Sequence, residues 1–204
     1  MPYGLITPLD GRKLEESLRV AAALAVTRNE AFTILEVGIC HGETSRGMAQ
    51  FLRQQQIPFT YWGVDNQRDK PVTPPFPEAN VLLGPSEELY SQLPAVLHFV
   101  FVDGCHCINH VMLDFLHYGD RVPVGGRLVM HDAAPYTQRK LDYQGHGPRD
   151  QVDFGTATRE AARKLGLLTG LRQDWRLVEQ AWEPRWDSGG VLVLERVAAA
   201  AVDA

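Results

Sequence analysis

Short apolar runs alternate along this chain with longer stretches whose apolar residues recur at helical spacing. Leu14, Leu18, Ala21 and Ala25 line one face of a helix predicted over 11–27, with Asp10 as its N-cap. A buried strand follows at 33–37, then a helix over 43–55 that turns Met48, Phe51 and Leu52 inward. The next strand, 59–64, closes on Asp65, and the Pro-rich segment 66–78 reads as a loop. A short strand at 81–83 precedes a short helix over 86–93, opened by Ser86 with Glu87 and Glu88 in its first turn. Residues 97–102 are almost uninterruptedly apolar, the pattern of a strand covered on both faces. A helix is predicted over 106–118, and Gly125-Gly126 turns the chain into a strand at 127–130. Residues 133–152 are polar and without period, and a helix resumes at 157–165. Strands near 175–178 and 191–194 flank a turn-rich stretch and pair as an antiparallel hairpin.

This alternation predicts an α/β fold: a Rossmann-like three-layer sandwich around a mostly parallel seven-stranded sheet, ending in the antiparallel hairpin. Residues 1–204 form a single domain, with an N-terminal extension and helix over 1–28 and a lid loop over 133–152. Open parallel sheets bind ligands outside the carboxyl ends of their strands. Glu36, Asp65, Asp103, His106, His131 and Asp132 all fall there, so they are expected to share one site.

Composition narrows the classes. The apolar share of 45% is ordinary for a globular protein, and no run approaches the roughly 18 apolar residues of a membrane span. The opening MPYGLITPLD has neither a charged nor an apolar region of secretory type, so no signal peptide is expected. A net charge of −5 without any Lys/Arg block argues against nucleic acid as partner. Cys40, Cys105 and Cys107 cannot all pair, which fits a cytoplasmic protein with free thiols. A homo-oligomer is left open.

The first strand runs into Glu36-Val-Gly38-x-x-x-Gly42-x-Thr44-Ser45. A glycine there lets backbone approach a ligand, and the following helix offers unpaired N–H groups. The spacing is not G-x-G-x-x-G, so a nicotinamide cradle is poorly matched. Asp65 is placed to accept hydrogen bonds from a ribose diol; the plainer alternative is that Glu36 and Asp65 cap turns. With these motifs the chain resembles the class I S-adenosylmethionine-dependent methyltransferases over about 33–195. The resemblance implies that Glu36, Gly38, Cys40, His41, Gly42 and Thr44 hold the methionine part of the cofactor and Asp65 the ribose. It places Gly84-Pro85-Ser86 beside the adenine and makes Asp103 a further cofactor contact.

Asp103-Gly104-Cys105-His106, with Gly125-Gly126 and His131-Asp132, resembles a narrower group. These are O-methyltransferases of small metabolites, including macrolide-sugar and catechol types and cephalosporin-hydroxylase-like relatives. The resemblance implies a divalent metal, magnesium or manganese first, on Asp103, His131 and Asp132, with His106 as general base. The chemistry is coherent: a sulfonium donor is already activated, so the protein must align an acceptor hydroxyl and remove its proton. His131 stands where relatives often carry a carboxylate, and imidazole suits softer metals than magnesium. A metal-free pair of His106 and His131 as acid and base therefore stays open. Ile108 stands where relatives often carry Tyr.

Cys105-His106-Cys107 with His110 lacks the separated halves of a structural zinc site. Alternate residues entering a helix point apart, so both cysteines are read as buried small residues. His98 is read as structural, His110, His117 and His146 as solvated or lid residues, and the four tryptophans as packing. Tyr136, Arg139, Lys140, Tyr143, His146 and Arg149 would give the lid a cationic face for an anionic or polyhydroxylated acceptor. The expected activity is methyl transfer from S-adenosylmethionine to a hydroxyl of a small molecule. A cofactor-binding module without turnover and a hydroxylase-associated relative remain alternatives on this scaffold.

Overall fold

The computed structural model describes residues 6–66, 74–135, 154–183 and 189–199. In chain order they form α1 (Pro8–Arg28), β1 (Thr33–Val37), α2 (Glu43–Gln54), β2 (Thr60–Asp65), β3 (Asn80–Leu83) and α3 (Ser86–Leu89). A 3-10 turn at Tyr90–Gln92 follows, then β4 (Phe99–Val102), α4 (Ile108–Gly119), β5 (Arg127–Met130), α5 (Phe154–Lys164), β6 (Trp175–Ala181) and β7 (Val191–Arg196). The seven strands make one sheet in the order β3-β2-β1-β4-β5-β7-β6. Strands β1 to β5 pair in parallel, and β7 runs antiparallel to both β5 and β6. The Rossmann-like plan expected from the alternation is the one found. The predicted lid, from 136 onward, lies outside the described residues, as do 1–5, Trp186 and 200–204.

Strands β1 and β4 are buried along their whole length because helices cover both faces of the sheet. On one face Leu35, Val37, Val100, Val102, Leu128 and Met130 pack with Val111, Phe115 and Tyr118 of α4 and Ala161 of α5. On the other, Ile34, Phe99, Phe101 and Val129 meet Leu14, Leu18 and Ala21 of α1 and Met48 and Leu52 of α2. Each fully buried Leu or Phe contributes about 1.5–3 kcal/mol. Among the described residues, no helix is long and apolar enough to cross a membrane.

Helix α1 begins earlier than its periodicity predicted. Pro8 stands in the first turn, where its fixed φ and missing N–H do no harm. The N-cap is therefore Thr7, and Asp10 is the third helical residue. The Thr7 hydroxyl accepts from the Asp10 N–H at 3.1 Å, while Asp10 accepts from the Thr7 N–H at 3.2 Å. Helix α4 begins later than predicted, with Cys107 as its N-cap, which leaves His106 in the preceding loop. The N-cap of α3 is Pro85, so Ser86 lies inside the helix rather than capping it.

The strand order reverses between β1 and β4, which opens a crevice at their carboxyl ends. There the ladder closes with three backbone bonds. Gly38 N–H donates to Val64 at 2.8 Å, Asp103 N–H to Val37 at 2.8 Å, and His131 N–H to Val102 at 3.0 Å. Gly38, Asp65, Asp103 and His131 thereby stand in one row. Gly38 has φ +91°, and a Cβ on it would lie 2.2 Å from the Asp103 carbonyl oxygen. We expect Gly38→Ala to lower stability in urea unfolding by about 2 kcal/mol or more, because strain and overlap act together.

Candidate active site at the carboxyl edge

The loop after β1 is held from below by the acid that ends β2. Asp65 Oδ2 accepts the N–H groups of Ile39 and Cys40, both at 2.8 Å. Cys40 takes φ +51° and Gly42 φ +70°, so the loop coils tightly before α2. Cys40 and His41 are exposed, whereas Gly42 and Thr44 are buried. No side chain caps the N-terminus of α2, which suits a ligand bearing a carboxylate. The structure thus brings Gly38, Cys40, His41, Gly42, Thr44, Asp65 and Asp103 to one rim.

Two sequence-predicted contacts have partners within the protein. Glu36 is enclosed, and its Oε2 accepts from the hydroxyls of Ser45 and Tyr61. Burial pushes its carboxyl up to about 8; the two hydrogen bonds oppose this, and the charges of Asp103 and Asp65 add to it. Glu36 is therefore neutral at neutral pH and braces α2 against β1 and β2 instead of facing the crevice. Ser86 donates to Asp114 Oδ1 at 2.5 Å, and its carbonyl accepts from Tyr118 at 2.6 Å, so it ties α3 to α4.

On the reaction side, β5 delivers His131 and Asp132, and the loop after β4 delivers Asp103 and His106. His131 Nδ1 lies 2.8 Å from Asp103 Oδ1 and 3.6 Å from Asp132 Oδ1. Its Nε2 lies 3.4 Å from Asp10 Oδ2. Burial alone would depress the His131 pKa, but Asp103, Asp132 and Asp10 outweigh it and raise the pKa well above its ordinary value. Asp10 is correspondingly lowered: burial raises it, but His131, Thr7 and the Gly190 N–H prevail. His106 Nε2 lies 3.3 Å from Asp132 Oδ2. Burial lowers the His106 pKa against the pull of Asp132 and Asp103. Asp132 has φ +50°, and its Oδ1 accepts from the Gly189 N–H at 2.8 Å, so its strained position is held from β7's side.

Asp103, His131 and Asp132 each turn a donor atom to one point, all within 4.8 Å of one another. Asp10 faces the opposite ring nitrogen of His131, an arrangement that orients metal-bound imidazoles. The residues therefore fit a divalent cation, and the nitrogen donor favours manganese over magnesium. Sequence reasoning missed Asp10. The T-x-x-D capping box was present as a signal of its local role, but nothing in it points to a histidine on β5.

His98 is structural as expected: it is buried, with Nδ1 accepting from the Thr33 N–H and Nε2 at 2.8 Å from Glu30. The expectation that Cys105, Cys107 and His110 point apart is overturned. The loop bends before α4, and the two sulfurs and the imidazole converge. His110 is accordingly not a solvated side chain.

Residues 35–133 match the family model described as a methyltransferase domain. No curated protein sequence matches the chain. Among solved structures, an O-methyltransferase from Bacillus cereus in complex with SAH aligns over 94% of this chain and 82% of its own, at 12% identity and TM-score 0.64. The O-methyltransferase TomG from Streptomyces achromogenes, involved in tomaymycin synthesis, aligns over 96% and 93%, at 15% identity and TM-score 0.56. MycE from the mycinamycin biosynthetic pathway, in complex with Mg, SAH and mycinamycin VI, aligns over 88% of this chain at 17% identity and TM-score 0.53. This chain spans 48% of that larger protein. The expected resemblance to class I S-adenosylmethionine-dependent methyltransferases holds in the central segment and in the fold.

A carboxyl raised to about 8 in the fold stabilises fully below its ordinary range and loses that contribution as pH climbs through about 8. Thermal melts from pH 5 to 9 should show Glu36→Gln losing less stability than the parent toward the alkaline end. The same variant should bind S-adenosylmethionine within about threefold of the parent by calorimetry, because a tenfold change would require about 1.4 kcal/mol of direct contact.

Proposed function

We propose that this methyltransferase-type chain transfers the methyl group of S-adenosylmethionine to a hydroxyl of a small-molecule acceptor, with His106 as general base. The observation that carries the reading is the His106–Asp132 pair beside the loop held by Asp65. The loop 38–42 and the uncapped start of α2 receive the donor, and Asp65 sets the loop's shape and borders the ribose. Methyl transfer from a sulfonium is an in-line displacement. The protein's part is therefore to hold the acceptor oxygen in line and take its proton, which orientation and base assistance each favour by several kcal/mol.

His106 takes the hydroxyl proton, with Asp132 3.3 Å from its Nε2. The carboxylate then stabilises the imidazolium. His106, with its pKa lowered by burial, is neutral and competent near pH 7, whereas His131, gripped by carboxylates, is charged when no metal is bound. The two histidines are pushed to opposite states by their surroundings.

Asp103, His131 and Asp132 would hold a divalent cation, with Asp10 orienting His131 through its other nitrogen. When bound, that ion supplies Lewis acidity beside the acceptor hydroxyl. The magnesium and the mycinamycin VI in the MycE complex support this reading. A second reading is favoured by the grip of Asp103 and Asp10 on His131: the imidazolium itself provides the positive charge next to the reacting oxygen.

Transfer of a labelled methyl group to a panel of hydroxyl acceptors tests the proposal, and a donor-binding protein without any transfer would refute it. His106→Ala should bind the donor normally and lose at least about tenfold in turnover; equal loss of both, or no loss, removes the assigned role. Chelation followed by manganese or magnesium restores activity under the metal reading and leaves it unchanged under the imidazolium reading. Asp10→Asn should lower turnover about tenfold, with donor affinity unchanged in calorimetry, because its place in the reaction half of the site is beside His131.

A further inference from the structure

We propose that Cys105, Cys107 and His110 form a second, soft-metal site for zinc, separate from the carboxylate-rich cluster of Asp103, His131 and Asp132. Cys105 Sγ lies 3.3 Å from Cys107 Sγ, and His110 Nδ1 lies 3.0 Å from each sulfur. The three atoms are thus donors gathered around one point, each from a residue that offers a single ligand atom. In a tetrahedral zinc site, bonds of about 2.3 Å to sulfur and 2.0 Å to nitrogen put neighbouring ligand atoms about 3.5–3.8 Å apart. A spread of the triad by roughly half an ångström reaches that geometry.

The local fold explains the convergence. Cys107 is the N-cap of α4, with φ −81° and ψ 147°, so the chain is extended just before the helix starts. Cys105 then folds back over the first turn, where His110, three residues past the cap, presents Nδ1 to both sulfurs. Cys107 is buried, and Cys105 and His110 are partly buried, which limits water without closing access. Thiolates and imidazole select zinc over magnesium or manganese, whereas the neighbouring carboxylates favour the harder ions. His106 lies between the two cysteines in sequence, so an ion on the triad also pins the loop that presents the proposed base. Binding there requires nothing of the methyl-transfer reading.

The test uses the full chain, stripped by a chelator and kept reduced, and titrated with cobalt(II) as a spectroscopic substitute for zinc. One equivalent should produce thiolate-to-cobalt charge-transfer absorption that zinc then abolishes. Cys105→Ser, Cys107→Ser and His110→Ala should each weaken zinc binding at least about a hundredfold in competition with a chromophoric chelator, since even loss of an outer partner costs 10–100-fold. Asp103→Asn with Asp132→Asn should leave the absorption in place. Absence of the charge-transfer band in the reduced protein overturns the proposal. So does a band untouched by the cysteine substitutions in variants whose circular dichroism matches the parent.

Discussion

The backbone of Gly38 meets that of Asp103 with no side chain between them, and the carboxyl edge is organised by that approach. A Cβ at position 38 would drive β1 and β4 apart at the point where the strand order reverses. With the two turns in contact, the loop held by Asp65 and the turn bearing His106 share one crevice. The ladder bonds of Gly38, Asp103 and His131 then fix the heights of the side chains that face it. Small backbone separation, rather than a long-range charge, is what lets residues far apart in sequence act as a single site.

Burial acts on every ionisable group there, yet the outcomes differ because the neighbours differ. Glu36 sits among hydroxyls and other acids, and desolvation leaves it neutral. His106 has one close carboxylate, which does not overcome burial. His131 has Asp103, Asp132 and Asp10 around it, and together these prevail. The imidazole in the loop after β4 and the one that follows β5 are thereby pushed in opposite directions. Asp10 adds to the pull of Asp103 and Asp132, although it belongs to the first helix and is brought to β5 by the packing of α1 across the sheet.

Much of this was legible in the chain. Unbroken apolar runs identified β1 and β4 as central strands, since a strand covered on both faces has no polar side to show. The acids and imidazoles at strand ends followed directly, because parallel strands point their carboxyl ends the same way. Two local readings went astray for related reasons. Asp10 was taken as a cap because short-range preference cannot reveal a partner on β5. Cys105 and Cys107 were expected to diverge because a helix was assumed to begin at 106; its later start lets the loop fold the two sulfurs together.

The order of apolar and polar residues by itself determined the layered α/β plan, the row of chemically able residues at the strand ends and the helices that cover the sheet. Those properties arise from periodicity, which is local and survives in the bare chain. The tertiary structure alone decided which acid faces which imidazole, where Glu36 and Ser86 turn, and that β7 enters between β5 and β6. Those outcomes depend on distances of a few ångströms between elements remote in sequence, and on the desolvation that only a packed core imposes.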